Sequence, residues 1–200
     1  MKTRESGMPE ENMWDGFFNP PIIIERLGIG PETGAVVEFG CGYGTFSLPV
    51  ARLVRGPVYA FDVEPEMVKM VREKARQQEI GNIVCSVRDF VTQGTGLPDA
   101  AADYVMMFNI LHAEQPHILL REARRVLQPN GRLGIMHWNY DPSTPRGPSM
   151  SIRPRPEQCR AWAEDAGFIL LAPGITSLPP YHYGMIMDCT AIPPNPSQRA

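Results

Sequence analysis

Val36-Val37-Glu38-Phe39-Gly40-Cys41-Gly42-Tyr43-Gly44-Thr45-Phe46-Ser47 reads as a short buried strand that runs into three alternating glycines and then into a helix. Glycines at a strand-to-helix turn admit positive φ and let a ligand approach the backbone with no Cβ in the way, while the helix start presents N–H groups. A dinucleotide site would want GxGxxG; here Thr45 follows Gly44, so the spacing is GxGxG. Glu38, just ahead of the loop, would repel a diphosphate and favours a ligand carrying a cationic group. The plainer alternative is a tight turn with no ligand.

Outward from this loop, short apolar runs alternate with helical patterns between Gly34 and His137, the signature of βα units on a mostly parallel sheet. Strands are predicted at Ala35 to Phe39, Val58 to Phe61, Ile83 to Val87, Asp103 to Asn109 and Arg132 to His137, the last entered through a Pro129-Asn130-Gly131 turn. Helices are predicted at Pro65 to Gln78, with Met67, Val68, Val71 and Ala75 on one face, and at Pro116 to Leu127. The Trp14, Phe17 and Phe18 region reads as an N-terminal helix whose aromatics need a cover. After Trp138 a proline-rich segment is expected to form a structured loop or lid. A helix from Pro156 to Ala166 and strands at Phe168 to Ala172 and Gly184 to Cys189 follow, separated by a loop over SLPPYHY.

At 200 residues with net charge −3, the chain has the size of one domain, 1–200. Its expected parts are a helical cap (1–33), a ligand-binding core (34–138), a substrate-side loop, helix and last two strands (139–192), and a frayed tail (193–200). The longest apolar run, near Tyr104 to Leu111, is too short for a membrane span, and the polar N-terminus lacks a signal-peptide core, so membrane insertion is not expected and a cytoplasmic location is. Four scattered cysteines without a CxxC pair argue against zinc and against a secreted disulfide scaffold. No metal is expected. Prolines are crowded at one end, 10 in residues 1–138 and 11 in the last 62.

Two more acids end strands. Asp62 lies 18 residues beyond Gly44, close to the interval of roughly 20 at which such folds place a ribose-binding carboxylate. Asp89 ends the third strand and could accept from an exocyclic amine, with Val63 and Phe90 flanking a ring. Singly each acid is equally a helix cap or a surface residue; three successive strand ends of this kind favour a nucleoside site.

Those residues resemble the class I S-adenosylmethionine-dependent methyltransferases, in a branch similar to the small-molecule ubiquinone/menaquinone-biosynthesis enzymes. VVEFGCGYG matches the first motif of that family, VYAFDVEPEMV its second-strand motif and LLREARRVLQPNGRLGI its approach to the fifth strand, with Asn130 where many members carry glycine. The resemblance covers about residues 34 to 138. It implies an α/β Rossmann-like doubly wound seven-stranded sheet, order 3-2-1-4-5-7-6 with the last strand antiparallel and helices on both faces. It also implies S-adenosyl-L-methionine as cofactor, with Glu38 and Gly40 near its methionyl amine and carboxylate and Cys41, Gly42, Tyr43, Gly44, Val63, Met67 and Phe90 among the residues that bind it. Asp62 would serve the ribose, Asp89 the adenine amine, and Asn109 would border the methionine.

With a sulfonium as leaving group, the protein must chiefly hold a nucleophile about 3 Å from the methyl carbon, in line and dry. An alcohol or phenol would also want a base. Candidates at the mouth are His112, His137, Tyr140 and His182, each with an ordinary alternative as a structural hydrogen-bonder. Arg146, Arg153 and Arg155 could clamp a substrate anion, or could be a solvated loop. LPPY at Leu178 to Tyr181 lacks the polar first residue and the fourth-strand position of the nucleic-acid amine motif, so no nucleic-acid partner is expected.

The expected function is therefore methyl transfer to a small-molecule acceptor. The alternatives are an inactive S-adenosylmethionine-binding or partner subunit, a protein methyltransferase, and an NAD-binding oxidoreductase, which Thr45 disfavours. Exposed N-terminal aromatics would allow a homodimer.

Overall fold

The computed structural model describes residues 9–189. Residues 1–8 and the expected tail from Pro193 lie outside that range. Along the chain run α1 (Glu11–Asp15), α2 (Pro20–Arg26), β1 (Val36–Phe39), α3 (Ser47–Leu53), β2 (Val58–Asp62), α4 (Pro65–Gln77), β3 (Ile83–Val87), β4 (Ala102–Phe108), α5 (Pro116–Val126), β5 (Leu127–Trp138), α6 (Pro156–Asp165), β6 (Ile169–Leu170), β7 (Thr176–Leu178) and β8 (His182–Asp188).

Local chemistry sets the helix ends. Proline stands at the first helical position of α2, α4, α5 and α6, where its missing N–H has no partner to lose. In α4, Glu66 in the first turn and Lys74 and Arg76 in the last complement the helix dipole, while Val68, Val71 and Ala75 are buried. α5 buries Leu119, Leu120, Ala123 and Val126. Each of these buried Leu and Val side chains contributes about 1.5–3 kcal/mol.

One sheet runs β3-β2-β1-β4-β5-β8-β6, parallel through β5 and antiparallel from β5 to β8. Alternation along the strands divides the core. Val37, Val105, Leu133, Ile135, Tyr183 and Met185 face α5 and α6. Val36, Tyr104, Met106, Met136 and Trp138 pack with residues of α2 and α3, and Ala60 and Cys85 pack with residues of α3 and α4.

The expected order stands, with eight strands in place of seven. The predicted Phe168 to Ala172 strand shrinks to β6, and the predicted SLPPYHY loop supplies Ser177 and Leu178 of β7 and His182 and Tyr183 of β8. Both lie along one edge of β8, where β6 pairs with Met187 and Asp188 and β7 with His182 to Gly184. Pro173, which has no N–H for a ladder, and Gly174 at φ +93° interrupt what would be a single strand. The predicted Pro129-Asn130-Gly131 turn is absorbed into β5: Asn130 sits at φ +66°, and the amides around it pair with Cys189. No helix of the described residues is long and apolar enough to cross a membrane, and all four cysteines are free and buried.

Candidate functional site

β1 delivers its C-terminus to the glycine loop, where Gly40, Gly42 and Gly44 take φ of +77°, +50° and +82°. A Cβ on Gly44 would come within 3.1 Å of Leu48 and Val71, so this position resists any side chain. Gly40 and Cys41 both donate their N–H to the Phe61 carbonyl, at 2.8 and 2.9 Å, which pins the loop to the end of β2. Asp62, 8% exposed, accepts from the Gly42 N–H at 2.8 Å through one oxygen and from the Glu64 N–H at 3.0 Å through the other. Burial raises its pKa, and those two N–H donors oppose the rise.

Glu38 differs from its expectation. Its side chain points into the face covered by α3 and accepts from the Ser47 hydroxyl. Burial, only partly offset by Ser47, pushes its pKa up to about 8, so at neutral pH it carries a proton and is not a standing anion. Ser47 was not singled out in the sequence; its place in the first turn after the glycines was the available signal. Cys41 faces the same core, and burial followed by the Glu38 and Asp62 charges pushes its thiol pKa up, which makes it inert. Tyr43 reaches outward, donating to the Pro9 carbonyl at 2.9 Å, while Lys74 joins the Tyr43 carbonyl at 2.9 Å to the Glu11 carboxylate. A cleft of about 440 Å³ opens between α1, α3 and α4, lined in part by Glu11, Tyr43, Thr45 and Lys74; Glu38, Asp62 and Asp89 are not in its wall.

Val63 and Met67 are half-buried beside Asp62 in sequence. Asp89 accepts from the Thr92 N–H at 3.3 Å, and Phe90 lies in the core edge-on to Phe39, centroids 5.3 Å apart. Asn109, at φ +56° just past β4, donates its backbone N–H to Met136 and holds its Oδ1 buried without a partner.

The histidines separate into two groups. His137 Nε2 lies 3.3 Å from His112 Nδ1, and His137 stacks near Tyr183. His182 Nε2 lies 3.4 Å from the Asn109 amide nitrogen, and its ring contacts both Phe18 (centroid 4.7 Å, stacked) and Trp138 (4.4 Å, tilted). Burial lowers the pKa of His112 to about 4 and of His182 to about 3, with the Arg153 charge adding to the latter. His137 is also lowered, by burial first and then by its charged neighbours. Tyr140 stands apart from the histidines, half-buried with the Arg155 guanidinium 3.8 Å above its ring.

The expected anion clamp is overturned at Arg153. That side chain is 7% exposed and turned inward, donating to the carbonyls of Asn139, Asp141, Arg146 and Pro148 and to the Thr144 hydroxyl. It ties the proline-rich loop together. Four prolines deny the segment regular backbone pairing, and one planar guanidinium gathers the stranded carbonyls.

Comparison with known proteins fits this geometry. A family model described as a methyltransferase domain matches residues 37–135. The chain is 33% identical over 110 residues to a ubiquinone biosynthesis O-methyltransferase of Xanthomonas oryzae pv. oryzae, covering 54% of this chain and 44% of that protein. It is 29% identical over 154 residues to a dimethylglycine N-methyltransferase of Parasynechococcus marenigrum, covering 70% and 53%. The chain thus spans about half the length of these relatives. Among solved structures, a SAM-dependent methyltransferase from Aquifex aeolicus superposes with TM-score 0.79 at 23% identity, covering 90% of this chain and 94% of that one. The [4+2]-cyclase SpnF superposes with TM-score 0.74 at 17% identity, covering 94% and 85%.

Proposed function

We propose that this chain, which belongs to the class I S-adenosylmethionine-dependent methyltransferase family, transfers the methyl group of S-adenosylmethionine to a small-molecule nucleophile. The observation that carries the reading is Asp62 bonded to Gly42: the ribose-type carboxylate and the glycine loop form one unit at the ends of β1 and β2. The unit suits the cofactor. Three left-handed glycines leave a face without side chains, Asp62 keeps unused acceptor capacity, and the buried, unpartnered Asn109 Oδ1 stands ready for a donor.

Glu38, Gly40, Cys41, Gly42, Tyr43, Gly44 and Asn109 would hold the methionine part, the Cys41 contribution coming from its backbone. Asp62 would take the ribose hydroxyls, and Val63, Met67, Asp89 and Phe90 the adenine. Bound there, the cofactor supplies an activated methyl group on sulfonium. The protein's remaining work is to orient the acceptor and exclude water. His112, His137 and His182 stay neutral at physiological pH, so their work is hydrogen bonding. The short segments added to the sheet, α1, α2 and the loop before α6, favour a small acceptor over a macromolecule.

Calorimetry with S-adenosylmethionine, followed by mass spectrometry of products across thiols, phenols and amines, tests the reading. Micromolar binding that falls at least tenfold in Asp62→Ala, with a methylated product, is the expected result; absence of binding would sink it.

A further inference from the structure

We infer that Ser47 is a positioning residue for the cofactor: its hydroxyl holds one oxygen of Glu38 and leaves the other for the cationic amine of the methionine part. The inference rests on the methyl-transfer reading above and adds a residue to which that reading gives no work.

Ser47 opens α3, at the end of a helix where a serine commonly caps. α3 has no side-chain cap, and the Ser47 hydroxyl turns back instead to Glu38 Oε2. The two residues flank the glycine loop and are buried, Ser47 at 0% and Glu38 at 2% exposure. Glu38 Oε1 accepts from no described residue. One oxygen is thus occupied and the other is open to a donor.

The surroundings say which donor. The titratable groups within reach of the Glu38 charge are Cys41 in the loop, Asp62 at the end of β2 and Cys85 on β3; all are acids, and no cation of the described residues is among them. Glu38 lacks the counter-charge that a buried carboxylate needs, and burial keeps its proton on. A cationic amine supplies that charge, and the proton leaves to water. As the carboxylate forms, the bond from Ser47 changes from neutral to charge-assisted and strengthens. Ser47 therefore favours the ionised, ligand-bound form over the empty one.

A plain structural role has a different consequence. If the hydroxyl did no more than close the base of the glycine loop, its loss would also loosen Gly42, whose N–H donates to Asp62, and the ribose end would suffer equally.

Calorimetry on the full chain with S-adenosylhomocysteine and with methylthioadenosine, a thionucleoside without the amino-acid end, separates the two roles. Ser47→Ala, checked for folding by circular dichroism, is expected to weaken S-adenosylhomocysteine at least tenfold at pH 7 and methylthioadenosine less than twofold. In a Glu38→Gln background the same substitution should cost less than twofold for either ligand. The pH at which affinity for S-adenosylhomocysteine levels off should also move upward in Ser47→Ala, because the hydroxyl opposes the rise that burial causes. Should Ser47→Ala not fold, Ser47→Cys, similar in volume and a weaker donor, is expected to show the same contrast at threefold or more. Equal weakening of both ligands, no weakening of either, or a tenfold loss that persists in Glu38→Gln would overturn the inference. Wild-type protein that bound neither nucleoside would sink the methyl-transfer reading, and the inference with it.

Discussion

His137 and His182, on adjacent antiparallel strands, point to opposite faces of the sheet. The cross-strand partner of His137 is Tyr183, whereas His182 pairs with Trp138, and a shift of one residue reverses the face. Substitution should therefore separate the two. His182→Gln is expected to raise the acceptor KM about tenfold with a smaller change in kcat, in line with one lost hydrogen bond of about 1.4 kcal/mol. His137→Gln, on the face covered by α5 and α6, should lower Tm and leave the acceptor KM nearly unchanged. Steady-state kinetics beside thermal melts would check both, and a reversed pattern would place the acceptor on the other face.

Acid should destabilise the fold through the same three imidazoles. Their folded pKa values lie below the ordinary 6.5, at about 4 for His112 and about 3 for His182. A depressed base contributes stability that is complete above pH 6.5 and is lost as pH falls through the folded value. Tm should fall between pH 6.5 and 4, and His112→Leu should make that fall shallower. By the same values, kcat/KM should show no inflection near pH 6–7 from a histidine base. A clear inflection there, removed by His182→Gln, would contradict the hydrogen-bonding role given to these rings.

Arg153 and Gly147 form one structural unit. Gly147 sits at φ +117°, and a Cβ there would stand 2.7 Å from Arg153 Nη2 and 2.9 Å from Trp138. Gly147→Ala and Arg153→Ala should each cost about 2–4 kcal/mol and open the loop before α6 to proteolysis. Arg153→Lys should not restore it, because one ammonium cannot span five oxygens. Resistance to trypsin equal to the wild type would show that the loop holds without the guanidinium.

Much of this arrangement was readable along the chain because its signals are local. The alternating glycines, the Asp62 interval and the strand-helix alternation are local to one or two βα units, whereas the sheet order follows only from the family resemblance that those residues carry. Phe18 against His182 is different: the stacking joins the first helical region to the last strand, and no spacing rule connects them. Arg153 was misread because an arginine among prolines looks solvent-facing until the carbonyls that those prolines strand are seen around it. The break of one expected strand into β6 and β7 depended on how β8 shares its edge, a tertiary fact. The charge of Glu38 was not readable, since ionisation depends on burial by α3.

Glu38 supplies the final prediction, in two parts. Its pKa rises from 4.5 to about 8 on folding, so the stability linked to its proton is complete below pH 4.5 and is lost as pH rises through 8. Glu38→Gln keeps a partner for Ser47 and has no proton to lose. Its Tm should therefore exceed the wild type's at pH 8–9 by an amount that shrinks toward pH 5, the full gap amounting to a few kcal/mol at about 1.4 kcal/mol per pKa unit. The second part concerns the cofactor. A cationic amine brought beside Glu38 favours the carboxylate, so binding near pH 7 should release up to one proton. Calorimetry in phosphate and in Tris would then give binding enthalpies that differ in proportion to the buffers' ionisation enthalpies, and Glu38→Gln should erase the difference. If wild-type enthalpies agree in the two buffers, Glu38 stays protonated in the complex and its part in holding the methionine amine is withdrawn.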